Sequence, residues 1–320
     1  MSRVTLQELA RDIEALVRFK RVLGWRYEAS ARLLYQFHRF ARKHAGQTRG
    51  APMRLEALVK AWLVREGERK PTTTASQFGT IRELCRYRQR RDPRGYVPEG
   101  SLAPRRGPKF LPYLLSQAEV RTLLSAARRH PGAKFGGHML HLLLAILYCT
   151  GLRLGEALRM ELTEVDLRAR TFLVRESKGR TRIVPFGDDL ARLIKRYLPE
   201  RARAVHPSIP AKTLLLGLDG LALNSNSTSN VIRKLWRRLG AKPQRGRLGP
   251  RAYDLRHAFA VHRLTRWYTQ GVDLHARLPW LSAYLGHQNL LGTEAYLHAT
   301  PRLLRTASLR FARHFKAGTP

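Results

Sequence analysis

Acidic residues are scarce in this chain of 320 residues: 23 Asp and Glu stand against 60 Lys and Arg, a formal net charge of +37. Such self-repulsion argues against a neutral scaffold or an enzyme of small molecules, and a polyanionic partner, nucleic acid first, is its natural counterweight. Arginine supplies 48 of the basic residues. The codon usage of a GC-rich genome also enriches arginine, but it does not thin out the acids. Cysteine is nearly absent: Cys85 and Cys149 are too few for a structural zinc site or a disulfide framework, which fits a reducing cytoplasm. Long apolar runs are missing too. The longest uncharged stretch, residues 135–152, contains His138, His141, Gly136, Gly137 and Gly151, and reads as a buried core helix rather than a membrane span. The first sixteen residues are charged and amphipathic, with no secretory apolar region. No glycine-rich phosphate loop ending in Lys-Ser/Thr, no His-Glu-x-x-His and no Gly-x-Ser-x-Gly occurs, so ATP hydrolysis, metallopeptidase and serine-hydrolase chemistry have no support.

What is present divides the chain. Leu33, Leu34, Phe37 and Phe40 recur at helical spacing, as do Leu55, Leu58, Val59, Trp62 and Leu63. A third helix is expected from about Ser76 to Gln89, ending in basic residues, and no strand alternation is evident before residue 110. Residues 1–92 therefore read as a small helical bundle. Pro and Gly crowd residues 93–111, which read as a basic linker. A second domain, residues 112–320, opens on a capping box, Ser116-Gln117-Ala118-Glu119. Its buried helix covers about Met139 to Cys149. Strands Thr171–Arg175 and Arg180–Pro185 flank a turn at Ser177-Lys178-Gly179, and helices follow at about Asp188–Leu198 and Ser229–Leu239. The last helix, residues 301–316, is amphipathic, with Leu303, Ala307, Phe311 and Phe315 on one stripe. The expected fold is mainly α in two domains, the second α+β with a small sheet. Residues 1–106 carry 24 basic and 10 acidic side chains and residues 107–320 carry 36 and 13. Two basic domains on a basic hinge suit a clamp around a duplex.

Four segments of the second domain carry chemistry. Thr150-Gly151-Leu152-Arg153-Leu154-Gly155-Glu156 places Arg153 at a helix start, because Gly151 can end the helix before it. Lys178 sits at a turn tip, from which a flexible ammonium reaches a cleft. Tyr253-Asp254-Leu255-Arg256-His257 follows, and then Leu285-Gly286-His287, with Tyr296 nine residues after His287. Read singly, these residues have plain alternatives: Arg153 as a salt-bridge partner of Glu156, Tyr253 as a packing residue, Lys178 as a solvated turn residue, and Tyr268 or Tyr284 as rivals of Tyr296. Two guanidiniums are nonetheless the groups suited to hold the oxygens of a phosphodiester as it passes through a pentavalent state.

In order and spacing this set resembles the tyrosine recombinases, the phage integrase family, whose catalytic domain shows T-G-x-R-x-x-E, a lysine on a β turn, H-x-x-R-H, L-G-H and a tyrosine nucleophile. The segments around residues 267–273 and 281–287 look most like recombinases encoded three in a row on bacterial mobile elements. The resemblance implies a helical core-binding domain, an integrase-like catalytic domain, and Arg153, Lys178, Tyr253, Arg256, His287 and Tyr296 as the catalytic set, with Tyr296 the nucleophile. Tyr253 stands where the family has histidine, a departure that puts full activity in question. Glu156, Asp254 and His257 are expected to orient the site. Arg86, Arg88, Arg90, Arg91, Arg105 and Arg106, beside or within the hinge, are expected to meet DNA phosphates, or else to form a solvated face.

The implied reaction, site-specific cleavage and rejoining of DNA strands through a 3′-phosphotyrosyl intermediate, needs no cofactor and no metal. The implied partners are double-stranded DNA and further copies of the chain, two per site and four in a synapse, with sister recombinases as a possible addition. In the family the terminal helix docks on a neighbouring protomer; an apolar stripe at that position also packs commonly on its own domain. The implied location is a bacterial cytoplasm, nucleoid-associated when bound, with no membrane role. Two other readings share these residues: a weak or inactive DNA-binding partner, and a type IB topoisomerase-like activity.

Overall fold

A computed structural model describes residues 3–44, 52–65, 71–104, 113–132, 135–177, 180–205, 211–241 and 250–287. The chain divides into two compact units, Met1–Phe110 and Leu111–Pro320, and each encloses its own apolar core.

In the first unit, β1 (Arg3–Val4) leads into α1 (Leu6–Val22) and α2 (Glu28–His44), and β2 (Met53–Arg54) into α3 (Leu55–Val64) and α4 (Pro71–Gln89). Thr5 starts α1 through a complete capping box, its hydroxyl accepting from the Glu8 amide at 3.2 Å and its own amide donating to the Glu8 carboxylate at 2.8 Å. Leu9, Ile13, Leu34, Phe37, Leu58, Val59, Ile81 and Leu84 fill the core. Two expectations need correction. The unit does hold strand: β1 and β2 pair antiparallel, Arg3 with Arg54 and Val4 with Met53, and two residues are too few for alternation to show. The third expected helix also begins five residues early, because Pro71 has the φ of a first helical turn although the threonines after it weaken the helical signal.

The Pro/Gly-rich stretch is partly attached to this bundle. Tyr96 and Val97 pack on its core, and Arg82 Nε donates to the Pro98 carbonyl at 2.8 Å. Its only regular structure among the described residues is a single 3-10 turn, Gly100–Leu102.

The second unit contains α5 (Gln117–Arg128), α6 (Gly137–Thr150), α7 (Leu154–Arg159), β3 (Val165–Asp166), β4 (Thr171–Ser177), β5 (Arg180–Pro185), α8 (Asp188–Ala204), α9 (Ser225–Arg238), α10 (Ala252–Thr269) and α11 (Leu274–Leu285). Ser116 caps α5 as the capping-box pattern requires. The uncharged stretch forms α6, whose run from Leu142 to Leu147 is buried all round, with α5, α8 and α10 packed around it. Each fully buried Leu or Ile there stabilises the unit by about 1.5–3 kcal/mol relative to exposure. Among the described residues, no helix is long and apolar enough to cross a membrane.

The sheet is antiparallel in the order β3-β4-β5, so the expected hairpin has gained a short third strand. Thr171 pairs with Pro185, Leu173 with Ile183 and Val174 with Arg182, and a register shift follows before Ser177. Two helices depart from their expected bounds. Pro199 lies inside α8, which continues to Ala204, while Arg201 donates to the carbonyls of Ala211, Thr213 and Leu214. Helix α9 begins four residues early, where the Asn224 side chain accepts from the amides of Asn226 and Ser227; its polar first turn gives no apolar period to read.

Candidate active site

Two helices that end on left-handed glycines frame the site. Gly151 closes α6 at φ +63°, and a Cβ there would lie 2.7 Å from the Phe259 ring and 2.8 Å from the Leu285 side chain. Backbone conformation and space therefore both require glycine. Two residues on, Arg153 is the N-cap of α7, at a helix start as the sequence indicates. Gly286 closes α11 at φ +67°, with the Gly286 amide bonded to Ala283 O and the His287 amide to Ser282 O, a Schellman-type end that fixes the backbone of His287.

The arginines converge on these ends. Arg256, on the first turns of α10, is 0% exposed. Its Nη1 donates to Gly151 O at 2.7 Å and its Nη2 to Leu285 O at 2.6 Å, joining the two glycine-terminated helices. Arg153 donates from Nη2 to Gly286 O at 3.1 Å and from Nη1 to Glu156 Oε1 at 2.6 Å. The Glu156 side chain is 2% exposed; it also accepts from the Arg153 amide at 2.9 Å and from Arg182 Nη2 at 2.8 Å. A buried carboxylate with guanidiniums on both oxygens is a stable arrangement, whereas loss of one partner from such a group costs about 3–5 kcal/mol. Arg153, Arg256 and Arg182 against one Glu156 leave a cationic cluster, and the negative end of the α11 dipole partly offsets it.

Arg182 was not singled out from the sequence. Within Thr181-Arg182-Ile183-Val184 the apolar residues are adjacent, so alternation does not say which face is buried. The fold turns Arg182 inward beside buried Val184 and leaves Ile183 exposed.

At the start of α10 the residues divide. Tyr253 is 39% exposed, and its ring meets that of His257 edge-on at 4.7 Å. Asp254 is buried and takes the Arg251 amide at 2.7 Å and Arg251 Nη2 at 3.1 Å. The arginine it holds in these bonds is thus Arg251, another residue not read from the sequence. Burial pushes the His257 imidazole down to about 4; Asp254 opposes the shift, and Arg251 and Arg256 reinforce it. Below its unfolded value of about 6.5, the unfolded chain takes a proton that the native state refuses until pH 4. This group's contribution is therefore present above pH 6.5 and lost as pH falls toward 4, on the order of 3 kcal/mol over the window. Denaturant unfolding at pH 7 and pH 4.5 should show a smaller drop in a His257→Phe protein than in the parent; an equal drop would exclude His257 as the source.

Other expected residues are placed separately. Lys178, Tyr296, Arg105, Arg106 and the 301–316 helix lie outside the described residues. In the first unit, Arg86, Arg90 and Arg91 are exposed on and just after α4. Arg88, in contrast, is turned inward to an ion pair with Asp12, which Arg91 joins at 2.9 Å, so Arg88 is the least suited of the four to meet a phosphate.

Two guanidiniums thus meet on one buried carboxylate, beside a helix end that leads into histidine. The model of the phage integrase family matches residues 114–302. Over 96% of this chain and 98% of the other, the sequence is 30% identical to y4rB of Sinorhizobium fredii, whose name assigns it provisionally as an integrase/recombinase. It is also 30% identical to the tyrosine recombinase XerD of Vibrio cholerae, over 76% of each chain. The Tn1549 transposon integrase, solved in complex with transposon right end DNA, has a similar fold, with a TM-score of 0.68 at 18% identity over 95% of this chain and 99% of that one. The chain belongs to the phage integrase family, the tyrosine recombinases, which cleave and rejoin DNA.

Proposed function

We propose the following roles for the residues of this site-specific recombinase. Arg153 and Arg256 hold the non-bridging oxygens of the scissile phosphate and stabilise the charge that grows on them. Tyr296 attacks phosphorus as its proton leaves. The Tyr296 O–P bond forms while the P–O5′ bond breaks, leaving a 3′-phosphotyrosyl link and a 5′-oxygen that Lys178 protonates. Because the link conserves the energy of the phosphodiester, attack by a 5′-hydroxyl reverses the step without ATP. His287 donates to a phosphate oxygen or helps to move the tyrosine proton. Tyr253, one helical turn before Arg256, offers a hydroxyl as donor in the family's histidine position. Glu156 orients Arg153.

The observation that carries this reading is the meeting of Arg153 and Arg256, 103 positions apart, on the carbonyls immediately before His287. The test is a duplex nicked beside the cleavage site, from which the short 5′-hydroxyl strand diffuses away and traps the intermediate. A covalent adduct whose peptide maps to Tyr296 is expected; its absence would leave only a DNA-binding partner. Supercoil relaxation without strand exchange would instead favour the topoisomerase-like activity.

The DNA-bound assembly is read as two copies per site and four in a synapse. A groove of about 570 Å³, lined in part by Phe186, Trp267, Trp280 and Tyr284, supports docking of an apolar stripe such as the one expected of residues 301–316, supplied by a neighbour. Sister recombinases are read as further partners in the same assembly. Complexes that stop at one protomer per site at saturating protein would contradict the assembly. Arg86, Arg90 and Arg91, with Arg105 and Arg106, are assigned to phosphate contacts that weaken steeply with salt.

A further inference from the structure

Three consecutive carbonyls at the end of α11 each receive a guanidinium. Gly286 O accepts from Arg153 and Leu285 O from Arg256, and Tyr284 O accepts from Arg182 Nε at 2.9 Å. Two of these arginines have roles at the phosphate; the third does not. Arg182 has the more constraining geometry of the three. It reaches from β5 to Glu156 with both Nη atoms, at 2.8 Å to Oε2 and 3.4 Å to Oε1, while its Nε holds α11. Its side chain is 10% exposed, so these contacts are made largely out of water, where a forked charge-assisted bond is strongest.

We propose that Arg182 is a positioning residue for Arg153, acting through Glu156. The proposal rests on the assignment of Arg153 to the scissile phosphate. A carboxylate has two oxygens, and an arginine facing one alone takes both in a fork. With Arg182 on Oε2, Glu156 engages Arg153 through Nη1 on Oε1, and Arg153 Nη2 is held at Gly286 O, beside His287. Without Arg182, the Arg153 fork rotates onto both carboxylate oxygens and is withdrawn from the phosphate. The bond to Tyr284 O also holds β5 against the helix end that leads into His287, so one side chain sets the distance between the two.

The experiment uses the full chain with Arg182→Gln and Arg182→Lys, and measures single-turnover adduct formation on the nicked duplex beside DNA affinity and thermal unfolding. Adduct formation is expected to slow by about 10- to 100-fold, the range seen when a residue supporting a functional ligand is lost, with DNA affinity unchanged. Lysine should recover little, because one ammonium cannot bridge Glu156 and Tyr284 O. Should Arg182→Gln not fold, Arg182→Lys carries the measurement. Adding Glu156→Gln should cause no further loss, since both changes act on one contact. A second duplex carries sulfur in place of the bridging 5′-oxygen, so that the leaving group needs no proton. It should rescue a Lys178→Ala protein and leave the Arg182 variants slow. Cleavage at the parent's rate, losses that multiply with Glu156→Gln, or rescue by the sulfur duplex would each overturn the proposal while Tyr296 still forms its adduct in the parent. A parent that forms no adduct would overturn both this proposal and the role assignment beneath it.

Discussion

A Tyr296→Phe protein is expected to bind its DNA site as tightly as the parent and to form no covalent adduct. The change removes one oxygen, the atom proposed to bond to phosphorus, and leaves an aromatic ring of the same shape. Tyr268 and Tyr284 are its rivals in the sequence, and the structure disfavours both. Tyr284 donates its hydroxyl to Pro185 O at 2.9 Å, and burial pushes its phenol up, away from the phenolate needed for attack. Tyr268 lies on the last turn of α10, twelve residues beyond Arg256, or about 18 Å along the helix. Tyr253 is exposed and near the site, so Tyr253→Phe is the informative control. It should keep the adduct and slow its formation by about tenfold, the worth of one hydrogen bond. An adduct in Tyr296→Phe, seen as a protein–DNA band resistant to denaturant, would move the nucleophile elsewhere.

Arg256→Lys should show the next largest effect: unchanged DNA affinity, with adduct formation slower by about 10²–10³-fold. Charge is conserved in this substitution, so a role confined to attraction of DNA predicts almost no change. The guanidinium, however, bonds Gly151 O through Nη1 and Leu285 O through Nη2. A lysine ammonium cannot span those carbonyls and also face a phosphate. Leaving one buried carbonyl without its donor adds a stability cost of about 1–3 kcal/mol, which thermal unfolding would report separately from the rate. Single-turnover rates within threefold of the parent would exclude Arg256 from the transition state.

Much of the site was legible because its parts are local. Gly151 could be read as a helix terminator and Arg153 as the residue that starts the next helix, since a cap depends on only a few residues. Ser116 and Glu119 announced α5 in the same way, and the uncharged run announced α6. The weaker readings also have local causes. The two-residue strands β1 and β2 are too short for a period to register, and the first turn of α9 is polar.

The sequence by itself determined the mainly helical fold, the order of the site segments, and a charge that calls for a polyanion. Only the tertiary structure decided which charges meet. Arg182 reaches Glu156 across 26 positions and Tyr284 across 102. Arg88 finds Asp12 across 76, and Arg251, rather than Arg256, takes Asp254 in the bonds at the start of α10. Helical periodicity, caps and glycine backbone angles act within about one or two turns, so sequence spacing records them. An ion pair between distant segments depends on how apolar faces pack, and packing assigns each of many similar arginines to water, to a carboxylate or to the helix end beside His287.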